Sequence, residues 1–231
     1  MPLAGRAAAW PERPTRRASC TRSADGIAVD VRVQFADRLT NAREIVMSIP
    51  LPIQVPELEP IPEALLREPL EFIYADHYRQ RCICTALNYM IGNPGAPDVA
   101  DWAGAILAYL ERELPLHIAD EEETLFPLLR RRSKPGDQIH SILGLLAEEH
   151  GRDEALAAAL RTGLRRVAAG TASPSWDAFW HAATAYSEVL LRHLSWENTL
   201  VLPFARQCLS AADVVDLGRA FAARRGTVYP D

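Results

Sequence analysis

Cysteine is sparse in this chain, and its placement excludes more than its number. The four cysteines, Cys20, Cys82, Cys84 and Cys208, form no CxxC pair and no Cys/His finger spacing, which argues against a zinc finger. Cys82 and Cys84 lie two apart on a predicted helix, so they point about 200° apart and cannot share a metal. They read as free thiols in a reducing cytosol, and the expected location is cytoplasmic. No apolar run approaches roughly 18 residues, so no membrane-spanning helix is expected. Arg16-Arg17 is not followed by an apolar stretch, so neither a secretory nor a twin-arginine leader is read. Basic surplus is also missing. The formal net charge is −5, and residues 1–46 carry eight Arg against five acids, leaving the remainder near −8. An acidic domain argues against nucleic acid as a partner, while a metal cation suits it. No catalytic triad, phosphate-binding glycine loop or nucleotide fingerprint is found, so no catalytic residue is assigned. Aromatics, at 7%, and long β-branched runs are both scarce, which removes the usual material of sheets.

What the chain has is alanine and leucine, within a 48% apolar composition that favours helix. Its length suits one well-cored domain plus a tail. From about residue 62 helical patterns alternate with turn signals. The first runs from about Glu71 to Ile91 and stops at Gly92-Asn93-Pro94-Gly95. The second has Asp98 as its expected N-cap and runs to about Arg132. Pro115 should kink it, and Pro127 should kink it again or end its regular part. Ser133-Lys134-Pro135-Gly136 closes it. The third runs from about Asp137 to Ala169, ending at Gly170. The fourth has Ser173 as N-cap and Pro174 at the first position, and runs to about Gln207. A shorter fifth helix opens with Ser210 and Asp213 in a capping-box arrangement and ends at Arg224-Arg225-Gly226. The fold expected is all-α: an antiparallel up-down-up-down four-helix bundle over 62–226 with a short C-terminal helix. Residues 1–60, rich in Arg, Pro, Ser and Ala, read as a largely disordered N-terminal tail. Ile27 to Phe35 alternates weakly enough to suggest one strand, and the change of texture at Met47 suggests a natural start there, with 1–46 upstream read-through.

The chain has only six histidines, and four fall one per long predicted helix: His77, His117, His150 and His193. Two of these open an internal echo. His117-Ile-Ala-Asp-Glu121 is followed by an apolar pair and Pro127. His193-Leu-Ser-Trp-Glu197 is followed by an apolar pair and Pro203. Each motif has Glu four residues after His and Pro ten residues after it. Residues i and i+4 lie about 40° apart on one helix face, so each imidazole and its carboxylate can reach the same point in a bundle core. With His77 and His150 the set is His77, His117, Glu121, His150, His193 and Glu197. Six protein ligands exceed what one tetrahedral zinc takes. Imidazole with carboxylate suits iron, with manganese the alternative. Glu121 and Glu197 can each bridge two cations, leaving two histidines per metal. Which pair serves which metal is open.

These residues carry a resemblance. Asp76-His77, the run His117 to Pro127 with Glu121, Glu122, Leu125 and Phe126, Glu149-His150, and His193 with Glu197 and Pro203 together resemble the hemerythrin-like (HHE cation-binding) domain, over about residues 70–205. The resemblance implies a cofactor of two non-haem iron ions, carboxylate- and oxo-bridged. It implies a small diatomic or a peroxide as ligand (oxygen, nitric oxide or a reactive oxygen species), and an electron donor that the sequence does not name. Oxygen-carrying members have a His-x-x-x-His pair on the third helix, where this chain has His150-Gly-Arg-Asp-Glu154. The four-His, two-Glu set is similar to bacterial di-iron proteins linked to repair of iron centres under stress, although their cysteine-containing N-terminal segment is not recognisable here. Three readings stay open: a small-molecule binding or redox-responsive protein in stress response or iron handling; an enzyme that reduces nitric oxide or peroxide or repairs iron centres; and a sensor or interaction module that signals redox or iron state to a partner protein.

Other polar residues have blander readings beside the functional one. Glu122 reads as a solvated face more readily than as a support for a ligand. Glu154 reads as a ligand or as part of a charged outer turn. His140, turned about 80° from His150, reads as surface, and His181 as surface or packing. Tyr74, one turn before His77, reads as packing, Trp180 and Trp196 as core or lid. The stripe Ile139, Ile142, Leu143 and Leu146 reads as core.

Overall fold

A computed structural model describes residues 58–134, 136–171 and 176–230, and among these every regular element is helical. The expectations for the tail before residue 58, including its strand and the Met47 start, and for Ser173 and Pro174 as the opening of the fourth helix, lie outside the described residues. A 3₁₀ turn, Glu63–Arg67, leads into α1, Pro69–Gly92. Then follow α2, Val99–Arg112, and α3, Leu114–Ala119. A π-helical turn, Asp120–Leu125, joins α3 to α4, Phe126–Arg132. After a turn come α5, Ile139–Ala168, and α6, Trp176–Trp196. A second π-helical turn, Glu197–Val201, leads to α7, Leu202–Cys208, and α8, Ala211–Arg224, is last.

Packing closes a ring: α2 lies on α5, α5 on α6, α6 on α1, and α1 returns to α2. The interior separates into two apolar clusters. One is built on Leu87, Met90, Ile106, Leu110, Leu160, Leu164 and Leu190. The other is built on Phe72, Ile73, Phe126, Leu129, Leu143, Leu202 and Phe221. The stripe on α5 contributes Ile139, Leu143 and Leu146 to the second cluster, with Ile142 packed against it. Trp180 packs against the first cluster and Trp196 against the second.

Local chemistry explains the joints. The second rod breaks at Glu113, two residues before Pro115, whose missing N–H and ring disrupt the ladder there. Pro127 and Pro203 act differently. Each follows a turn in which the ladder slips to i→i−5: Phe126 N–H bonds the Glu121 carbonyl, and Leu202 N–H bonds the Glu197 carbonyl. The kink or end expected at Pro127 is therefore a π bulge, as is the joint before Pro203, the form that lets a helix continue past an interrupted i→i−4 ladder. The expectation for Asp98 is corrected. It stands at the N-cap of α2, but its side chain caps no backbone N–H, because its Oδ1 accepts the Tyr89 hydroxyl at 2.9 Å.

The C-terminal helix is fastened at both ends. Ser210 and Asp213 form the reciprocal capping box, with Ser210 N–H to Asp213 Oδ2 at 2.8 Å and Asp213 N–H to Ser210 Oγ at 3.2 Å. Gly226, at φ +66°, ends it in a Schellman arrangement, with Thr227 N–H bonded to the Ala222 carbonyl. Between these, Gly218 lies so close to the Leu66 carbonyl that a Cβ would sit 2.1 Å from the oxygen. Only glycine lets α8 lie against the 3₁₀ turn.

Candidate metal centre

Between the two apolar clusters lies a buried polar layer: Asp76, His77, Gln80, His117, Asp120, Glu121, His150, His193 and Glu197. Burying so many polar groups costs free energy unless each finds a partner. α1 supplies His77, α3 His117, α5 His150 and α6 His193, while Glu121 and Glu197 come from the two π turns. The widened turn therefore falls on the carboxylate-bearing residue in both motifs.

The ligand-type atoms form two overlapping groups. His77, His117, Glu121 and Glu197 make one; His150, His193, Glu121 and Glu197 make the other; within each, the atoms lie within 4.8 Å of one another. Both carboxylates belong to both groups. His77 Nε2 lies 3.5 Å from Glu121 Oε1 and 3.3 Å from Glu197 Oε2. His117 Nε2 is 3.6 Å, and His150 Nε2 3.4 Å, from Glu121 Oε2. His193 Nε2 is 3.2 Å from Glu197 Oε1.

The outward ring nitrogens are all anchored. His77 Nδ1 meets Asn198 Oδ1 at 2.8 Å. His117 Nδ1 meets Asp76 Oδ2 at 3.2 Å. His150 Nδ1 meets Glu122 Oε1 at 2.8 Å, and His193 Nδ1 meets Glu149 Oε2 at 3.2 Å. Each partner is an oxygen acceptor, so each Nδ1 carries a hydrogen and each neutral imidazole turns its Nε2 lone pair inward. This is how outer partners fix metal-binding imidazoles. The interior shows the complementary deficit. His77 Nε2, Glu121 Oε2 and both Glu197 oxygens are buried without hydrogen-bond partners, and His150 Nε2 faces His193 Nε2 at 3.0 Å. Two lone pairs at that separation repel unless a proton or a cation lies between them. The donor set fits cations.

Electrostatics agree. Burial opposes charging His193, but Glu197 and Glu149 outweigh it and raise its pKa to about 11. Burial also opposes charging His77 and His150, and the nearby carboxylates, Glu121 foremost, raise both. Burial pushes Glu121 up, yet His117, His150 and His77 outweigh it and hold its carboxyl well below the usual range. The surroundings of His77, His150, His193 and Glu121 thus favour added positive charge at the centre.

The chain matches the hemerythrin HHE cation-binding domain over residues 68–205. The chain belongs to that family. An uncharacterized protein of Haemophilus influenzae is 28% identical over 172 residues, covering 73% of this chain and 96% of the relative.

In this hemerythrin-family domain several surrounding residues were not read from the sequence, or were read differently. Glu122, expected on a solvated face, is the acceptor behind His150. Asp76, noted only as the neighbour of His77, is a buried hub. Arg79 donates to its Oδ1 at 3.0 Å, and the Tyr109 hydroxyl donates to its Oδ2 at 2.8 Å. Burial and the adjacent Asp76 push the Tyr109 phenol well above its ordinary pKa, so it stays a donor. Asp120, beside Glu121, is clamped by Arg224 and by Arg225, the latter at 2.7 Å. Glu154 is exposed and paired with Arg161. His140 and His181 are exposed, as read. Tyr74 is not packed: it is 45% exposed, with the Arg81 guanidinium 5.8 Å from its ring centroid. Among the described residues no helix is long and apolar enough to cross a membrane.

Proposed function

We propose that this protein holds a dinuclear non-haem iron centre that binds or reacts with a small diatomic or a peroxide in stress response or iron handling. His77 and His117 would hold one metal, His150 and His193 the other, and Glu121 and Glu197, which belong to both groups, would be shared between them. The observation that carries the reading is the sharing of both carboxylates by two His pairs, with His77 Nε2, Glu121 Oε2 and both Glu197 oxygens buried without hydrogen-bond partners. Bridging carboxylates are what allow two cations to lie close together in low-dielectric surroundings. Imidazole and carboxylate ligands favour iron, with manganese the competitor. The domain of residues 62–226 is read as an up-down-up-down antiparallel bundle, the architecture that presents inward ligands from facing helices. The expected setting is the cytoplasm, with an electron donor as a further partner.

When bound, the metal pair would supply open coordination positions and redox capacity to the ligand. The chain's own residues do the rest. Asp76, Asn198, Glu122 and Glu149 hold the four Nδ1–H groups and aim the Nε2 atoms. Asp120, gripped by Arg224 and Arg225, fixes the π turn that presents Glu121. The apolar clusters on either side keep bulk water from the carboxylates.

Metal content per chain on protein produced with iron, with absorption in air, tests the proposal. Two irons per chain with near-ultraviolet charge-transfer absorption is the expected result. One metal or none would overturn the dinuclear assignment and put the interaction-module reading first.

A further inference from the structure

A cavity of about 30 Å³ adjoins the His/Glu layer. A water needs roughly 10–15 Å³ by this measure, so the space suits two waters or one ligand of two or three heavy atoms. Its wall includes His117, His150 and His193, the apolar Leu190, Gln80, and Glu154, whose carboxylate is neutralised by its ion pair with Arg161. Gln80 lies on α1 three residues after His77, nearly one helical turn away. It is 1% exposed, and its Nε2 is buried with no acceptor. Among the cavity's lining side chains, it is the one left with a buried polar atom lacking a partner. Leaving a buried amide donor unsatisfied is unfavourable, so an apolar side chain would be the more stable occupant if Gln80 served only to fill space.

We propose that Gln80 is the ligand-orienting residue of this centre: its amide N–H donates to the outer, electron-rich atom of a small ligand held in the cavity beside His117, His150 and His193. The inference rests on the dinuclear reading and adds a preference to it. A ligand whose outer atom gains negative charge on binding, such as an end-on peroxide-type or pseudohalide anion, is favoured over one whose outer atom stays neutral. A hydrogen bond to a charged acceptor in such a site is worth more than a neutral one.

The test uses the iron-loaded full chain, Gln80→Met, Gln80→Glu and sodium azide as probe. Wild type and Gln80→Met are expected to carry equal iron. Azide should bind Gln80→Met about tenfold more weakly, with a shifted asymmetric stretch in the infrared. Gln80→Glu, which places a carboxylate on the anion, should bind it more weakly still. The metal-free proteins give an independent readout: Gln80→Met should melt no lower than wild type, since it removes an unsatisfied amide at nearly constant volume. Equal azide affinity and stretch at equal iron content would overturn the proposal, as would a clearly lower melting temperature of metal-free Gln80→Met, which would reveal a structural partner for the amide. Wild type without iron would instead bring down the dinuclear reading and this inference with it.

Discussion

His117 and His193 hold equivalent places in the two echoing motifs, yet the carboxylates behind them differ in kind. Asp76, behind His117, is a 5% exposed side chain whose two oxygens are held by Arg79 and Tyr109. Glu149, behind His193, is 21% exposed, and its other partner is the half-open Arg192. His150 stands beside the second arrangement, with the 38% exposed Glu122 behind it. One half of the centre is therefore braced by a dry network, and the other by carboxylates in contact with solvent. Identical motif geometry does not make equivalent surroundings, because the supporting groups come from other helices.

The largest effect expected removes what the halves share. Glu121→Ala or Glu197→Ala should lose most bound metal and lower thermal stability, since metal binding contributes to folding. Unchanged metal content in both variants would dissolve the pairing altogether. Next comes the contrast itself. Asp76→Ala should destabilise the metal-free protein by about 2 kcal/mol, because it leaves the buried Tyr109 hydroxyl without its acceptor and takes from Arg79 one of two carboxylates, Glu113 remaining at 2.6 Å. Glu149→Ala should cost less, about 1 kcal/mol, since its ion pair with Arg192 is largely solvated and water can reach the His193 Nδ1–H from the same open side. Denaturant melts of the two variants would show it, and equal losses would erase the distinction between dry and wet halves.

A third expectation concerns pH. The His193 pKa is raised above its unfolded value near 6.5, to about 11. Its contribution to the metal-free protein is therefore fully present below about pH 6.5 and is lost as pH rises through about 11. Glu149→Gln removes one of the groups that raise it, so that variant's melting temperature should fall less steeply between neutral and alkaline pH. Parallel curves for variant and wild type would remove Glu149 from the account. A cation must displace the same proton, so metal loading near neutral pH should release protons.

Much of this was legible because it depends on spacing. Four histidines spread one per helix, and a doubled His-x-x-x-Glu, place their side chains by helical geometry alone, and the fold brings all six residues together. The ends of α5 and α8 were legible from Gly170 and Gly226, whose φ of +66° suits glycine. What escaped depends on contacts between helices. Glu122 looks like one more charge in the run Asp120–Glu123 until α5 brings His150 to it. Asp98 loses its capping role to a tyrosine of α1. Pro127 and Pro203 announce an interrupted ladder, but not that a continued helix would absorb the interruption as a π turn beneath each carboxylate.

The smallest effect belongs to a histidine in neither half. His140 lies on the same helix as His150, and sequence distance alone would allow a role for it. The structure places it exposed, with Nε2 2.7 Å from Ser133 Oγ, a contact that helps close the turn between α4 and α5. An exposed hydrogen bond of this kind contributes at most about 0.5 kcal/mol, because water replaces either partner when the other is removed. His140→Ala should therefore leave the metal content of the loaded protein unchanged and lower its melting temperature by no more than a degree or two. A loss of metal in this variant would mean that the turn after α4 bears on the π turn before it. The centre would then reach further into its supporting structure than the four outer acceptors, Asp76, Asn198, Glu122 and Glu149.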